Sequence, residues 1–98
     1  MTIEIKKSTN EMVIELSGRL DTSTAPVLQK TINEDIPENV NLVLDLKGLE
    51  YISSAGLRVL LTAQKRMSES GSMKLKNVCE EIMDVFEMTG FADILEIE

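Results

Sequence analysis

Two segments near the start of the chain alternate apolar and polar residues. Alternation with a period of two is the pattern of a strand that buries one face. Between the segments, residues 7–11 are polar and include turn-forming serine, threonine and asparagine side chains. The pattern therefore predicts an antiparallel hairpin. The alternating apolar residues are Ile3 and Ile5 in the first strand, and Met12, Ile14 and Leu16 in the second.

Residues 18–37 follow a helical spacing instead. Gly18 permits a turn, Pro26 suits the first turn of a helix, and Pro37 should end that helix. Between these points an apolar stripe has a period of about 3.6 residues, and its members are Val27, Leu28, Thr31 and Ile32. The residues before the stripe that can cap the helix are Asp21, Thr22, Ser23 and Thr24.

The most apolar strand of the chain is predicted at Val40–Leu46. Val43 lies on one face of this strand, and the opposite face is apolar as well. A strand that is apolar on both faces belongs in the middle of a sheet. Residues 47–52 are then the connection to the next helix. The apolar residues of the main face are Val40, Leu42, Leu44 and Leu46.

The rest of the chain predicts two helices and one or two strands. A second helix runs from about Ser54 to Ser70, and Gly71 suits the position after its end. A short strand at 73–77 and a third helix that Gly90 closes come next. Residues 94–97 are a candidate edge strand. The expected inward residues are Leu57, Leu60, Leu61, Gln64 and Met67 in the second helix, Met73 and Leu75 in the strand, and Val78, Ile82, Val85 and Phe86 in the third helix.

The predicted order is β-β-α-β-α-β-α, with an optional last strand. Alternation after the hairpin implies right-handed β-α-β crossovers. The fold class is therefore α/β, with a mixed sheet of four to five strands and helices packed against it. A chain of 98 residues corresponds to one domain over 1–98.

Composition and charge limit the partners that this domain can have. Aromatic residues make up 3%, so the core is aliphatic and base stacking on nucleic acid is disfavoured. The net charge of −7 opposes binding to phosphate backbones and anionic membranes. We therefore expect neither nucleic acid nor membrane as a partner, and the acidic charge is compatible with a basic partner surface.

The chain has no histidine and one cysteine, Cys79. The commonest general base and metal ligand is therefore missing, and we expect no metal ion and no cofactor. A single cysteine forms no disulfide within the chain, which suits a reducing compartment. The start of the chain lacks a signal-like apolar region, and no apolar run approaches a membrane span. The expected location is cytoplasmic.

Two serines, Ser53 and Ser54, lie at the predicted junction between the third strand and the second helix. A helix cap is the simplest interpretation, worth about 1 kcal/mol. A nucleophile is disfavoured because the first glycine of a G-x-S-x-G turn and any histidine are missing, and a phosphate-binding loop would need a lysine at another spacing. A phosphorylated serine also fits, because helix N-terminal N–H groups and the helix dipole favour negative charge.

Three segments of the chain resemble the STAS domain family, and most closely the bacterial anti-sigma factor antagonists. They are LSGRLDTSTAP at 16–26, LVLDLKGLEYISSAGLRVLL at 42–61, and the stretch from MKLKN to DILEI at 73–97. Together they cover nearly the whole chain. The middle segment is the most specific because it is similar to the family's strand, loop and D-S-[ST]-G-L helix start.

The resemblance implies a regulatory binding protein that is not an enzyme. Family members bind an anti-sigma factor that is also a serine kinase, and this binding frees the sigma factor. The kinase phosphorylates one serine of the antagonist and so weakens the binding. A PP2C-type phosphatase reverses the modification. The partners implied for this chain are therefore an anti-sigma factor serine kinase and that phosphatase.

Alignment of Gly56 with the family's glycine places the phosphorylated residue at Ser54. The family's preceding aspartate falls on Ser53 and its following serine or threonine on Ala55, and both are departures. Asp21 matches the family's aspartate after the second strand and is expected beside the Ser54 helix start, although a turn or cap role explains it about as well. The residues implied for partner binding are Asp21, Thr22, Ser23, Ser53, Ser54 and Arg58.

Other residues near this motif have structural interpretations. Gly56 suits close packing in the first helical turn, and Leu57 and Leu60 suit the core. Arg58 is expected in solvent beside Ser54, where it could meet a partner or the phosphate. Methionines such as Met67 and Met88 are expected to fill gaps in a core with few aromatic residues.

Two other functions are compatible with the same residues. A STAS module of another system, such as the cytoplasmic subunit of a lipid transporter or a small-ligand sensor, would share the fold, since a fold does not fix a function. A hydrolase that uses Ser54 as nucleophile is the third and weakest hypothesis.

Overall fold

The structure, a computed structural model, describes all of residues 1–98. It contains four strands, three helices and one short 3-10 turn in the predicted order. The elements are β1 (Thr2–Lys7), β2 (Glu11–Leu20), α1 (Ala25–Asp35), β3 (Val40–Ile52), α2 (Ser54–Glu69), β4 (Gly71–Lys76), α3 (Glu80–Thr89) and the 3-10 turn Phe91–Asp93.

The strands form one mixed sheet in the order β1-β2-β3-β4. Strands β1 and β2 are antiparallel, with Ile5 opposite Ile14, which confirms the predicted hairpin. The pairs β2–β3 and β3–β4 are parallel, and α1 and α2 connect them. Strand β3 has a neighbour on each side, as its two apolar faces predict.

One hydrophobic cluster of 23 buried residues holds the sheet and the helices together. Its only aromatic side chain is Phe86, so the predicted aliphatic core is confirmed. Val43 is buried but lies outside this cluster, on the opposite and mainly polar face of β3. The helices therefore cover one face of the sheet. The predicted inward residues that are fully buried are Leu57, Leu60, Met67, Met73, Leu75, Ile82 and Phe86, and those only half-buried are Leu61, Gln64, Val78 and Val85.

Strands β2 and β3 are longer than their apolar patterns predict. Gly18 lies inside β2 with a φ of 91°, where a turn was expected, and residues 47–52 continue β3. Two register shifts in the β2–β3 pair interrupt the alternation, and pairing then resumes up to Leu20 opposite Ile52. Such bulges insert a residue without ending the strands, and a positive φ favours glycine. The sequence pattern therefore predicts an end for each strand that lies before the end seen in the structure.

Two predicted core residues are exposed. The side chain of Val27 is 54% exposed, because the buried stripe of α1 runs through Ala25, Leu28 and Ile32. The helix turns this stripe toward the sheet and leaves Val27, about 100° around the helix from Leu28, on its outer side. Met88 is 87% exposed, although Met67 is buried as predicted.

The optional edge strand at 94–97 is only partly formed. After Gly90, whose φ of 81° ends α3, the chain makes the 3-10 turn and buries Leu95 in the core. Only one bridge joins Ile97 to Leu75 in β4. The short segment turns inward to bury an apolar side chain, and only its last residues reach the sheet.

Arg66 near the end of α2 connects that helix to α1. Its guanidinium donates to the carbonyl oxygens of Ile32 at 2.9 Å and Ile36 at 2.7 Å. These carbonyls belong to the end of α1, where backbone acceptors lack partners within the helix. None of the helices in the structure combines the length and apolar character that crossing a bilayer requires.

Candidate functional site

Ser53 is the N-cap of α2. Its backbone is extended, and its hydroxyl oxygen accepts a hydrogen bond from the N–H of Gly56 at 3.2 Å. Its own N–H donates to the carbonyl of Leu20 at 2.9 Å. The cap expected at this junction is therefore present, and Ser53 provides it. The first bond closes the start of α2, and the second joins it to the end of β2.

Ser54 is the first residue of α2 and is exposed. Of the two serine hydroxyls at the junction, only that of Ser53 is hydrogen-bonded within the protein. The first turn of any helix carries N–H groups without intrahelical partners and the positive end of the dipole. The Ser54 hydroxyl therefore lies free at an electropositive position.

Asp21 organises the loop between β2 and α1. Its Oδ1 accepts hydrogen bonds from the N–H of Ser23 at 3.0 Å, the hydroxyl of Ser23 at 2.8 Å and the N–H of Thr24 at 3.1 Å. The turn interpretation of Asp21 is thus supported. The loop also follows Leu20, which is bonded to Ser53, so it lies beside the start of α2 as predicted.

The same hydrogen bonds hold Asp21 in its charged form. Bonds from the Ser23 hydroxyl and the Thr24 N–H, in that order of importance, hold the pKa of the Asp21 carboxyl below its usual range. A carboxylate that accepts several hydrogen bonds loses a proton more easily, because the bonds stabilise the anion. The loop is therefore built around a permanent negative charge at neutral pH.

Replacing Asp21 by asparagine is expected to destabilise the protein at pH 7 and to matter less in acid. Asparagine keeps an acceptor oxygen but loses the charge. Because the folded pKa is lowered, the contribution of the charge is complete above the unfolded value of about 3.9 and disappears as the pH falls through the folded pKa. Urea unfolding of wild type and Asp21→Asn from pH 7 down to about pH 2 measures this. A stability difference that stays constant with pH would contradict it, and Asp84→Asn on α3 is the control.

Arg58 and the loop residues Thr22 and Ser23 are exposed around the two serines. Arg58 follows Ser54 by four residues, so it projects from the same side of α2. The structure therefore brings Thr22, Ser23 and both serines to the end of the sheet where β2 and β3 finish. We call this surface, which Arg58 continues along α2, the Ser54 edge. The expected exposure of Arg58 is confirmed.

The residues behind this edge are packed tightly. A Cβ atom on Gly56 would lie 2.7 Å from Cγ of Leu20 and 2.9 Å from Cγ1 of Ile52. The predicted close-packing role of Gly56 is therefore confirmed. Leu57 and Leu60 are buried, as expected for core residues. The first turn of α2 thus rests directly on the ends of β2 and β3.

Two further side chains, Arg19 and Tyr51, lie at the same end of the sheet. They are opposite each other in the β2–β3 register, and the Arg19 guanidinium carbon lies 4.0 Å from the centre of the Tyr51 ring. Arg19 Nε lies 3.8 Å from Oδ2 of Asp21. The sequence does not reveal this pair, because the pairing of Arg19 with Tyr51 depends on the two extra residues that the register shifts place in β3.

The largest hollow on the surface lies away from the serines. It encloses about 440 Å³ on the polar face of the sheet, and Asp45 and Lys47 are among its lining residues. Burial raises the pKa of Asp45, but hydrogen bonds from Asn77 and the Lys47 N–H, with nearby lysine charges, lower it overall. This hollow shares no residue with the Ser54 edge.

Comparison with known proteins identifies the class of this fold and site. The family model of the STAS domain matches residues 2–98. The anti-sigma-B factor antagonist of Bacillus subtilis is 30% identical over 98 residues, which cover 99% of this chain and 90% of that protein. The chain belongs to the STAS domain family.

Solved structures share the fold. An anti-sigma factor antagonist from Mycobacterium paratuberculosis has a TM-score of 0.87 at 22% identity, over 98% of this chain and 83% of that one. The antagonist SpoIIAA of Bacillus has been solved in two forms. The unphosphorylated form gives a TM-score of 0.81 at 19% identity, over 99% of this chain and 88% of that one, and the phosphorylated form gives 0.70 at 17%, over 99% and 91%. The predicted mixed α/β fold is therefore confirmed.

Proposed function

We propose that this chain is an anti-sigma factor antagonist that phosphorylation of Ser54 switches off. It binds an anti-sigma factor that is a serine kinase, and it uses the edge formed by the 21–24 loop and the start of α2. The name of the Bacillus subtilis relative, which matches over almost the whole of both chains, supports the class of function. The proposed role is binding, with no catalytic residue assigned.

One observation carries the choice of Ser54. Its hydroxyl is exposed and free, whereas the Ser53 hydroxyl accepts the capping bond from Gly56 and is half-buried. For a kinase to reach the half-buried Ser53 oxygen, that oxygen would first have to turn away from the Gly56 N–H, and loss of such a cap costs about 1 kcal/mol. Ser54 can accept a phosphate without losing any hydrogen bond of the protein.

The phosphate would change the partner surface and leave the fold intact. It adds a charge of about −1.5 to −2 at pH 7. At the first residue of α2, that charge meets the positive end of the helix dipole, so the helix is not destabilised. Arg58, one turn further along the same side, supplies a nearby cation. A charged group in the middle of a contact surface opposes docking of the partner, because it must be desolvated there.

A phosphatase of the PP2C type would restore the binding form. It needs access to the phosphate, and the exposed position of Ser54 at the edge of the domain provides that access. The cycle then consists of binding, phosphorylation, release and dephosphorylation. Ser53, in place of the family's aspartate, removes one negative charge that the kinase would otherwise meet beside Ser54.

Calorimetry with the purified anti-sigma kinase of the same organism tests this function. The unmodified chain is expected to bind, and Ser54→Asp is expected to bind at least about tenfold more weakly, because a charge is introduced into the contact surface. Ser68→Asp, the same change at an exposed site near the end of α2, is the control and should bind like wild type. Equal affinity of Ser54→Asp and wild type would contradict the switch. Recovery of a transporter ATPase in a pull-down, with no binding to the kinase, would favour a transporter subunit instead.

A further inference from the structure

Arg19 is held in one place without using its hydrogen-bond donors. Its guanidinium lies over the Tyr51 ring at 4.0 Å, and its Nε is 3.8 Å from Asp21 Oδ2, which is beyond hydrogen-bond distance. Its side chain is 60% exposed. Stacking on an aromatic face fixes the plane of the guanidinium while its edge stays free.

The contrast with Arg66 shows what is unusual about this arginine. Arg66 donates from both terminal nitrogens to backbone carbonyls and so has a structural role between two helices. The Arg19 guanidinium makes no hydrogen bond to the protein, and Asp21, the only acid in an ion pair with it, is already bonded to Ser23 and Thr24. Glu50 lies in the strand segment next to Tyr51 but forms no ion pair with Arg19.

A fixed guanidinium with free donors is suited to a planar anionic acceptor. Its parallel N–H groups match the two oxygens of a carboxylate, and charge-assisted bonds of this kind are stronger than neutral ones. Because Tyr51 already restricts the side chain, less conformational freedom is lost on binding. Arg19 Nε also lies 3.8 Å from Oδ2 of Asp21, a residue of the 21–24 loop, so the guanidinium borders the proposed binding edge.

We infer that Arg19, positioned by Tyr51, binds a carboxylate on the anti-sigma kinase and helps to select that kinase. This inference rests on the proposed function, because the partner is the kinase that docks at the Ser54 edge. The net charge of −7 makes most of this chain favour a basic partner surface. An acidic residue opposite Arg19 would therefore distinguish the cognate kinase from other proteins with basic contact surfaces. Charge patterns provide specificity in this way.

Binding of this chain to the purified kinase tests the inference. Arg19→Gln is expected to weaken binding at least about tenfold, since truncating one member of an interfacial charge pair raises the dissociation rate. Arg19→Lys keeps the charge but loses the planar guanidinium, so its affinity should lie between those of wild type and Arg19→Gln. Tyr51→Leu should weaken binding, whereas Tyr51→Phe, which keeps the ring, should bind like wild type.

Two controls separate this inference from the proposed function. Lys65→Gln removes the same charge about 16 Å along α2 from Ser54, at about 1.5 Å per residue, and should leave binding unchanged. A double-mutant cycle then looks for the partner carboxylate: exposed Asp and Glu residues of the kinase are replaced by their amides one at a time. One replacement should weaken binding to the wild-type chain but have little further effect on binding to Arg19→Gln. Wild-type affinity of Arg19→Gln would overturn the inference alone, whereas no binding by the wild-type chain would overturn the proposed function with it. Urea unfolding checks that each variant is folded.

Discussion

Replacing Ser54 by alanine is expected to abolish phosphate transfer from the anti-sigma kinase to this chain. The Ser54 hydroxyl is exposed and free of hydrogen bonds, so it is the acceptor that the kinase can reach. Alanine removes that oxygen and keeps the helix start, because the capping oxygen belongs to Ser53. The measurement is incorporation of labelled phosphate from ATP, followed by mapping of the phosphopeptide in the wild-type chain. Labelling of Ser54→Ala at the wild-type rate, or mapping to another residue, would contradict the assignment.

Ser53→Ala is the matched control for that experiment. It should still be labelled at Ser54, but it loses the cap to the N–H of Gly56, so its free energy of unfolding should fall by about 1 kcal/mol. Ser53→Asp should retain the cap, because aspartate is as good an N-cap as serine. Any change in its labelling rate then results from the added charge and not from a change in the fold. The comparison shows how serine instead of aspartate at position 53 affects phosphorylation by the kinase.

Gly56→Val is expected to be the most destabilising single change near the site. A Cβ atom at this position would lie 2.7 Å from Cγ and 3.0 Å from the carbonyl oxygen of Leu20. Leu20 is fully buried, so neither group can move away without disturbing the core. Overpacking of this kind lowers the free energy of unfolding by about 3 kcal/mol. Urea unfolding monitored by circular dichroism measures the loss.

Thr62→Val on the exposed side of α2 is the control for that variant. It introduces the same side chain into the same helix without a buried neighbour, so its effect should stay within about 0.5 kcal/mol. If Gly56→Val were as stable as wild type, the first turn of α2 would not be packed on the strand ends as described. The site would then lack the rigid support that fixes Ser53 and Ser54.

Local patterns predicted the order of the elements but not their ends. Alternation at Met12, Ile14 and Leu16 identifies β2, yet Gly18 at the next position of that face resembles a turn and hides the end of the strand. In β3, each register shift adds one residue, and this breaks the alternation after Leu46. A bulge changes the register without changing composition, so no local pattern marks it. The prediction that Val27 is buried is wrong because the pattern does not show which side of α1 faces the sheet. An apolar residue next to the buried stripe looks like part of that stripe in the sequence.

The candidate site was predictable in its chemistry and only partly in its geometry. A strand followed by serines and a helix is enough to expect a cap, and the family motif points to Ser54. Which serine caps α2 and which has a free hydroxyl depends on which residue has the extended backbone. This follows from where β3 ends. The Arg19–Tyr51 stack depends on pairing between strands that are about 30 residues apart in sequence, which no local spacing encodes.

The decisive measurement is release of the sigma factor from a preformed complex with its anti-sigma kinase. The unphosphorylated chain, added in the presence of a nucleotide analogue that cannot transfer phosphate, is expected to displace the sigma factor in gel filtration. The same chain carrying one phosphate on Ser54 is expected to leave the complex intact. Equal release by both forms, or no release by either, would contradict the proposal that this protein is an antagonist controlled at Ser54.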